Sequence, residues 1–242
     1  MPFFLNQIAV ITGASSGIGK AIAQGLAKEG AHLCLVGRKE EKLEVVGNYI
    51  KKFSGKVSFY IADLGIDEDI YRLITSLQTE FEGIDILIHS AGVISLGYVE
   101  QLPVEDFDWQ YRVNLRAPYC LTQALLPMLR FHKGHIVFIN SSSGLSARAG
   151  LAQYSATKHG LKAIADSLRD EVNQDGLRVT SIFPGRTATP MQEAVFKAED
   201  RKYNPDMLIQ PGDVSKLVIE ALKLSRTAEV TDIMVRPSKK LK

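Results

Sequence analysis

Seven short apolar runs punctuate the chain: Gln7 to Thr12, His32 to Val36, Val57 to Ile61, Ile84 to His89, His135 to Asn140, Arg178 to Phe183 and Val230 to Val235. Several are hydrophobic nearly throughout rather than at alternate positions, as parallel strands covered on both faces are. Between them, apolar residues return at helical spacing. Leu43, Val46, Ile50 and Phe53 form one such set, and Ile70, Leu73, Ile74, Leu77 and Phe81 a second. Leu161, Ile164, Ala165, Leu168 and Val172 form a third, and Val214, Leu217, Val218, Ala221 and Leu222 a fourth. Each helix therefore has one face to bury. Strict alternation of strand and helix predicts right-handed crossovers and a doubly wound α/β fold of the Rossmann type, built on a seven-stranded parallel sheet. No repeat, low-complexity tract or linker interrupts residues 1–242, which are expected to form a single domain. One stretch breaks the rhythm. Residues 186–210 carry charges, two prolines and only fragmentary periodicity, and a connection this long is expected to be a lid or a surface excursion.

Composition narrows the function. Hydrophobic residues make up 45% and charged residues 23%, the balance of an ordinary globular protein. The net charge of +2 comes from scattered residues rather than a basic stripe, which argues against nucleic acid as a partner. Lys239, Lys240 and Lys242 read as a solvated basic end. Cys34 lies in an apolar run and Cys120 in a helical pattern, without the spacing of a metal or redox pair, and this fits a reducing cytoplasm. His132 and His135 straddle a turn and no histidine has ligand spacing, so no metal is expected. The apolar start Met1 to Leu5 lacks a basic flank, and no run approaches the roughly 20 residues that span a bilayer.

The first strand runs into Thr12-Gly13-Ala14-Ser15-Ser16-Gly17-Ile18-Gly19 and then directly into a helix. Glycines here let the backbone turn tightly and approach a pyrophosphate at a helix N-terminus, and the backbone of Gly13 to Gly19, with Ser15, Ser16, Gly17 and Ile18 between, is the candidate cradle. The spacing differs from the common Gly-x-Gly-x-x-Gly fingerprint. The second strand ends in Gly37-Arg38, where NAD enzymes place a carboxylate on the ribose hydroxyls. Arg38 suits a 2′-phosphate, and no acid stands at 37 or 38 to repel one, so NADP(H) is the expected cofactor.

Tyr154 and Lys158 stand four residues apart on one face of a helix beginning near Ala152. A phenol titrates near 10, and a nearby ammonium favours its phenolate. A Tyr and a Lys at this spacing often only decorate a helix, but the strand ending at Asn140 delivers Ser141-Ser142-Ser143-Gly144 at the sheet edge where α/β folds bind ligands, thirteen residues before Tyr154. With Asn114, these motifs make the chain resemble the short-chain dehydrogenase/reductase family over essentially its whole length.

The resemblance implies a chemistry residue by residue. Tyr154 would exchange a proton with the substrate oxygen, and Ser141 would hydrogen-bond that oxygen. Lys158 would lower the Tyr154 pKa and hold the nicotinamide ribose, while a hydride passes between cofactor and substrate carbon. Asp63 would contact adenine with Leu64 beside it, Ala91 and Gly92 would allow close approach of the cofactor, and Pro184, Gly185, Thr187 and Thr189 would flank the nicotinamide. Pro118 has no N–H for the carbonyl of Asn114; that carbonyl is expected to be free for a water reaching Lys158, the relay role that the resemblance implies. Two departures stand out. His89-Ser90-Ala91-Gly92 replaces the family's Asn-Asn-Ala-Gly, removing side chains that brace the sheet, and His89 reads as a buried strand histidine. The ending Asp232 to Pro237 lacks the Asp-Gly-Gly turn of ketoacyl-carrier reductases and looks more like branches that act on small hydroxy acids or pterin-type carbonyls.

Arg148, six residues before Tyr154, and Arg186, after Pro184-Gly185, are candidate substrate residues alongside Ser141 and Tyr154; two arginines there would suit an anionic hydroxy or keto acid, unless they point to solvent. Larger apolar or pterin-type carbonyls are the alternative substrates. The apolar helices around Asp106 to Leu129 and Ala152 to Val172, with Trp109, Tyr119, Leu121, Leu125 and Leu168, imply a homodimer or homotetramer by the same resemblance, although such stripes are more often core. The rival class is a non-catalytic NADP(H)-binding regulator, against which the retention of Ser141, Tyr154, Lys158 and Asn114 argues.

Overall fold

Alternate residues of each central strand face opposite sides of the sheet, and nearly all are apolar, so both sides must be covered by helices. The structure, a computed structural model, describes residues 1–53 and 56–239; Lys240 and Lys242 of the basic end lie outside it. Seven strands form one parallel sheet: β1 (Ile8–Thr12), β2 (His32–Gly37), β3 (Val57–Ile61), β4 (Ile86–His89), β5 (His135–Ile139), β6 (Arg178–Pro184) and β7 (Asp232–Val235). Their order is β3-β2-β1-β4-β5-β6-β7. Each expected strand is present, with ends displaced by no more than two residues.

Helices α1 (Gly17–Lys28), α2 (Glu40–Ile50) and α8 (Pro211–Lys223) cover one face, where Ile22, Leu26, Leu43, Val46, Val214 and Val218 pack on Ile11, Leu33, Leu35 and Ile88. Helices α3 (Asp67–Glu80), α5 (Ala117–Phe131) and α6 (Ala152–Val172) cover the other, where Leu73, Leu77, Leu121, Leu125, Leu161 and Leu168 pack on Val10, Val36, Leu87 and Phe138. Burial of this kind contributes about 1.5–3 kcal/mol for each large aliphatic side chain. A shorter helix, α4 (Val104–Tyr111), precedes α5. No helix among the described residues is long and apolar enough to cross a membrane.

Four details depart from the sequence pattern. Phe53 lies beyond the end of α2 and is exposed, its ring tilted against that of Tyr49 at 5.2 Å instead of entering the core. Leu121, Leu125 and Leu168 are buried in the chain's own core and leave Trp109 and Tyr119 as the exposed part of the proposed assembly face. The segment 186–210 is largely ordered structure: Thr189 caps α7 (Pro190–Ala198) through the N–H of Gln192, and Val195 and Phe196 are buried. Its two ends are tied together by a parallel bridge between Thr187 and Ile209. The end of β4 is braced without the missing asparagines. Thr12 Oγ1 accepts the N–H groups of Ser90 (3.1 Å) and Ala91 (3.2 Å), and His89 Nε2 pairs with Thr122 Oγ1 at 2.8 Å.

Candidate active site

The strand order reverses between β1 and β4, and the loops at the carboxyl ends of the two strands diverge there to leave a crevice. A cleft of about 920 Å³ fills it. Gly13, Ser15, Ser16, Gly17, Ile18 and Gly19 line one end, with Arg38, Asp63 and Leu64 beside them; Ala91, Gly92, Pro184, Gly185, Thr187 and Thr189 line its middle. Ser141, Tyr154, Lys158, Arg148 and Arg186 also border it. Of the sequence-derived site residues only Asn114 stands behind the wall, fully buried.

At the glycine turn the backbone leaves no room for side chains. Gly13 has φ +67°, and a Cβ on Gly19 would stand 2.5 Å from the Gly13 carbonyl oxygen. Helix α1 then starts with no side-chain cap and no acid in its first turn, whereas α3 opens on Asp67, Glu68 and Asp69. The leading N–H groups of α1 are therefore free to meet an anion. Arg38 stands 3.8 Å from Asp63 and is more than half exposed, so most of its donors are open to a ligand.

Three consecutive residues at the end of β5 organise the other side. Ile139 O accepts Lys158 Nζ at 3.1 Å. Asn140, 4% exposed, accepts the Ser141 N–H on Oδ1 (2.8 Å) and donates from Nδ2 to the Lys158 carbonyl (3.1 Å). Ser141 Oγ accepts the Ser143 N–H at 3.1 Å and is hydrogen-bonded to the Tyr154 phenol. Lys158 Nζ lies 5.9 Å from the Tyr154 ring centre. Sequence reasoning missed Asn140, although a polar residue closing the apolar run Ile136 to Ile139 was a signal.

Burial dominates the electrostatics. It pushes the Lys158 ammonium down to about 8, and it pushes the Tyr154 phenol up, an effect that the Ser141 hydrogen bond partly offsets. The expected lowering of the Tyr154 pKa by Lys158 is not among the causes of its shift, which burial raises and the Ser141 hydrogen bond alone opposes. Near neutral pH, Tyr154 carries its proton and Lys158 remains largely cationic.

Asn114 sits in a π-helical turn, Arg112–Arg116, between α4 and α5, and the Ala117 N–H reaches back five residues to Arg112 O. The sequence predicts a lost bond at Pro118; the chain accommodates it with this wider turn rather than a simple kink. The Asn114 amide clamps the backbone of Val93 through both N–H and C=O (2.8 and 2.9 Å) and donates to Thr157 Oγ1 at 3.2 Å. Thr157 Oγ1 donates in turn to the Tyr154 carbonyl at 2.8 Å.

Of the two candidate substrate arginines, Arg148 is exposed at the mouth of the cleft. Arg186 is not a free cation: Nη2 donates to Glu199 Oε1 at 2.6 Å and its guanidinium lies 4.8 Å from the Phe196 ring centre. Glu199 also lines the cleft and was not foreseen, because only the path of α7 brings it opposite Arg186.

Residues 7–200 match the family model described as short chain dehydrogenase. An oxidoreductase of Staphylococcus aureus strain USA300 is 37% identical over 238 residues, covering 98% of this chain and all of the relative. Among solved structures, an alcohol dehydrogenase of the archaeon Thermococcus sibiricus complexed with 5-hydroxy-NADP is similar, with a TM-score of 0.87 at 26% identity, covering 98% of each chain. A short chain dehydrogenase of Shigella flexneri complexed with NADP has a TM-score of 0.88 at 30% identity, covering 97% of this chain and 98% of that one.

Proposed function

Since the chain belongs to the short-chain dehydrogenase/reductase family, we propose that it is an NADP(H)-dependent oxidoreductase that interconverts a small-molecule carbonyl and a secondary alcohol, with Tyr154 as acid and base. The observation that carries this reading is the convergence of Ser141, Tyr154 and Lys158 on the same cleft as the uncapped start of α1. The residues fit the cofactor. A Cβ would fill the cradle at Gly13 and Gly19, the α1 N-terminus offers free donors to a pyrophosphate, and Arg38 offers a bidentate partner to a 2′-phosphate. The NADP complexes of the Thermococcus and Shigella proteins support the same choice.

The cofactor, when bound, supplies or accepts the hydride. The protein's part is to bind, orient and move a proton. Tyr154, kept protonated by burial, donates its phenolic proton to the carbonyl oxygen during reduction, and Ser141 hydrogen-bonds the same oxygen. Lys158 supplies positive charge as the proton leaves and would hold the nicotinamide ribose hydroxyls. Gly92 marks how close the next residue stands: a Cβ there would be 3.5 Å from Asn114 Oδ1 and 3.9 Å from Lys158 Nζ. The Asn114 carbonyl, denied an α-helical partner by Pro118, would hold a water that returns a proton toward Lys158. Exposed Trp109 and Tyr119 support assembly as a homodimer or homotetramer, and the absence of paired cysteines fits a reducing cytoplasm.

The reading is tested with a panel of ketones, aldehydes and keto esters, following absorbance at 340 nm with NADPH and, separately, NADH. Oxidation of NADPH tied to loss of one carbonyl class is the expected result. No turnover with any member, while NADPH binds, would favour the non-catalytic regulator instead.

A further inference from the structure

Beyond the reacting centre the cleft is bordered by apolar Ile94, Leu96 and Met191 mixed with polar Gln101, Ser146 and Gln192, and a cation held from two sides stands in the same wall. That cation, Arg186, is held on two sides, by the face of buried Phe196 and by Glu199 at 2.6 Å. Arg201 also approaches Glu199, at 3.5 Å, but it borders a separate hollow behind α7 together with Lys202 and Tyr203. Glu199 is therefore the acid that faces Arg186, through Oε1, while its Oε2 is shared with Arg201. The hydrogen bond from Arg186 keeps the Glu199 carboxyl below the usual carboxylate range, so it is ionised at neutral pH.

Resting on the proposed carbonyl chemistry, we infer that Glu199 is a specificity-determining residue: by holding Arg186 it makes the substrate compartment select uncharged carbonyl compounds and exclude carboxylates. A carboxylate reaching Arg186 meets the Glu199 oxygen at the same guanidinium and must displace it or be repelled. A neutral carbonyl compound, such as an ester, brings no full negative charge for Glu199 to repel. Arg148, exposed at the mouth, is screened by solvent and adds little attraction for acids.

The test compares ethyl 2-oxo-4-phenylbutanoate with the free 2-oxo-4-phenylbutanoate, measuring kcat/KM with NADPH, and adds the Kd of 4-phenylbutanoate for the NADP-loaded protein. Wild type is expected to favour the ester by at least about tenfold. Glu199→Gln should shift the acid-to-ester ratio toward the acid by about tenfold and tighten 4-phenylbutanoate to a similar degree, and adding Arg186→Gln should remove both gains. An unchanged ratio and an unchanged Kd in Glu199→Gln would overturn the inference, as would gains that persist without Arg186. Absence of ester turnover in wild type would count against the proposed reaction alone, because the Kd series still reports on the Arg186–Glu199 pair.

Discussion

Protonating the buried histidines should destabilise the fold in a narrow pH window. His89 and His135 are each 2% exposed on central strands. Thr180 Oγ1 spends its proton on Val230 O (2.6 Å), so it accepts from His135 Nε2 (2.8 Å), and His135 Nδ1 is left bare and without a partner. His89 is stacked on Phe138, and its Nδ1 is equally unpartnered. A proton on either ring would create a buried, unpaired charge. Burial holds both pKa values down from 6.5 to about 3, reinforced at His135 by Arg178 and Arg226. Between these limits the unfolded chain binds more protons than the native one, so this stability is complete above pH 6.5 and lost as pH falls. At pH 5 each histidine costs 1.5 units times about 1.36 kcal/mol, roughly 2 kcal/mol, or about 4 kcal/mol together. Carboxylates held low in the native state, such as Glu29 and Asp166, titrate near 4 when unfolded and act mostly below this window. Urea unfolding of the ligand-free protein at pH 7.5 and 5.0, at one protein concentration, should show that loss. His89→Gln combined with His135→Gln should retain no more than about 1 kcal/mol of it. Equal wild-type stability at the two pH values, or an undiminished loss in the double variant, would refute the reasoning.

Three further outcomes follow from the site. Gly19→Ala places a methyl 2.5 Å from the Gly13 carbonyl oxygen; a fluorescence titration should show NADPH affinity falling by about a hundredfold or more, since neither backbone segment can move without opening the turn. Arg38→Asp should reverse the preference between NADPH and NADH in kcat/KM, a change on the order of a hundredfold for loss of a charge-assisted pair and gain of a repelling acid; unchanged selectivity would remove Arg38 from the phosphate site. Asn140→Ala removes the acceptor of the Ser141 N–H and the side-chain donor to the Lys158 carbonyl. It should lower Tm by an amount matching about 2 kcal/mol and kcat by about tenfold, with little change in KM; a KM effect alone would show that Asn140 does not position the reacting groups.

Much of the fold was legible because the strands are covered on both faces: a run such as Ile136 to Ile139 has no polar alternative to burial, and its neighbours in the sheet are of the same kind. The glycine turn and the Ser141, Tyr154 and Lys158 spacing were legible because close backbone approach and one helix face each demand residues at fixed separations. Other features depend on where the chain travels. Glu199 meets Arg186 only because the Thr187–Ile209 bridge folds α7 back over the cleft. Pro118 announced a missing hydrogen bond without saying whether the chain would kink or widen, and packing of Asn114 against Val93 and Thr157 accompanies the π-helical turn. The sign of the Tyr154 shift was equally hidden, since it turns on burial rather than on the neighbouring lysine.

The central claim is that Tyr154 moves the proton, and Tyr154→Phe tests it most directly because the substitution removes one oxygen and leaves the ring in the wall of the cleft. With a carbonyl substrate from the panel, kcat should fall by about 10²–10⁴-fold while the Kd for NADPH stays within about threefold of wild type. Turnover that survives the substitution at the wild-type rate would contradict the account.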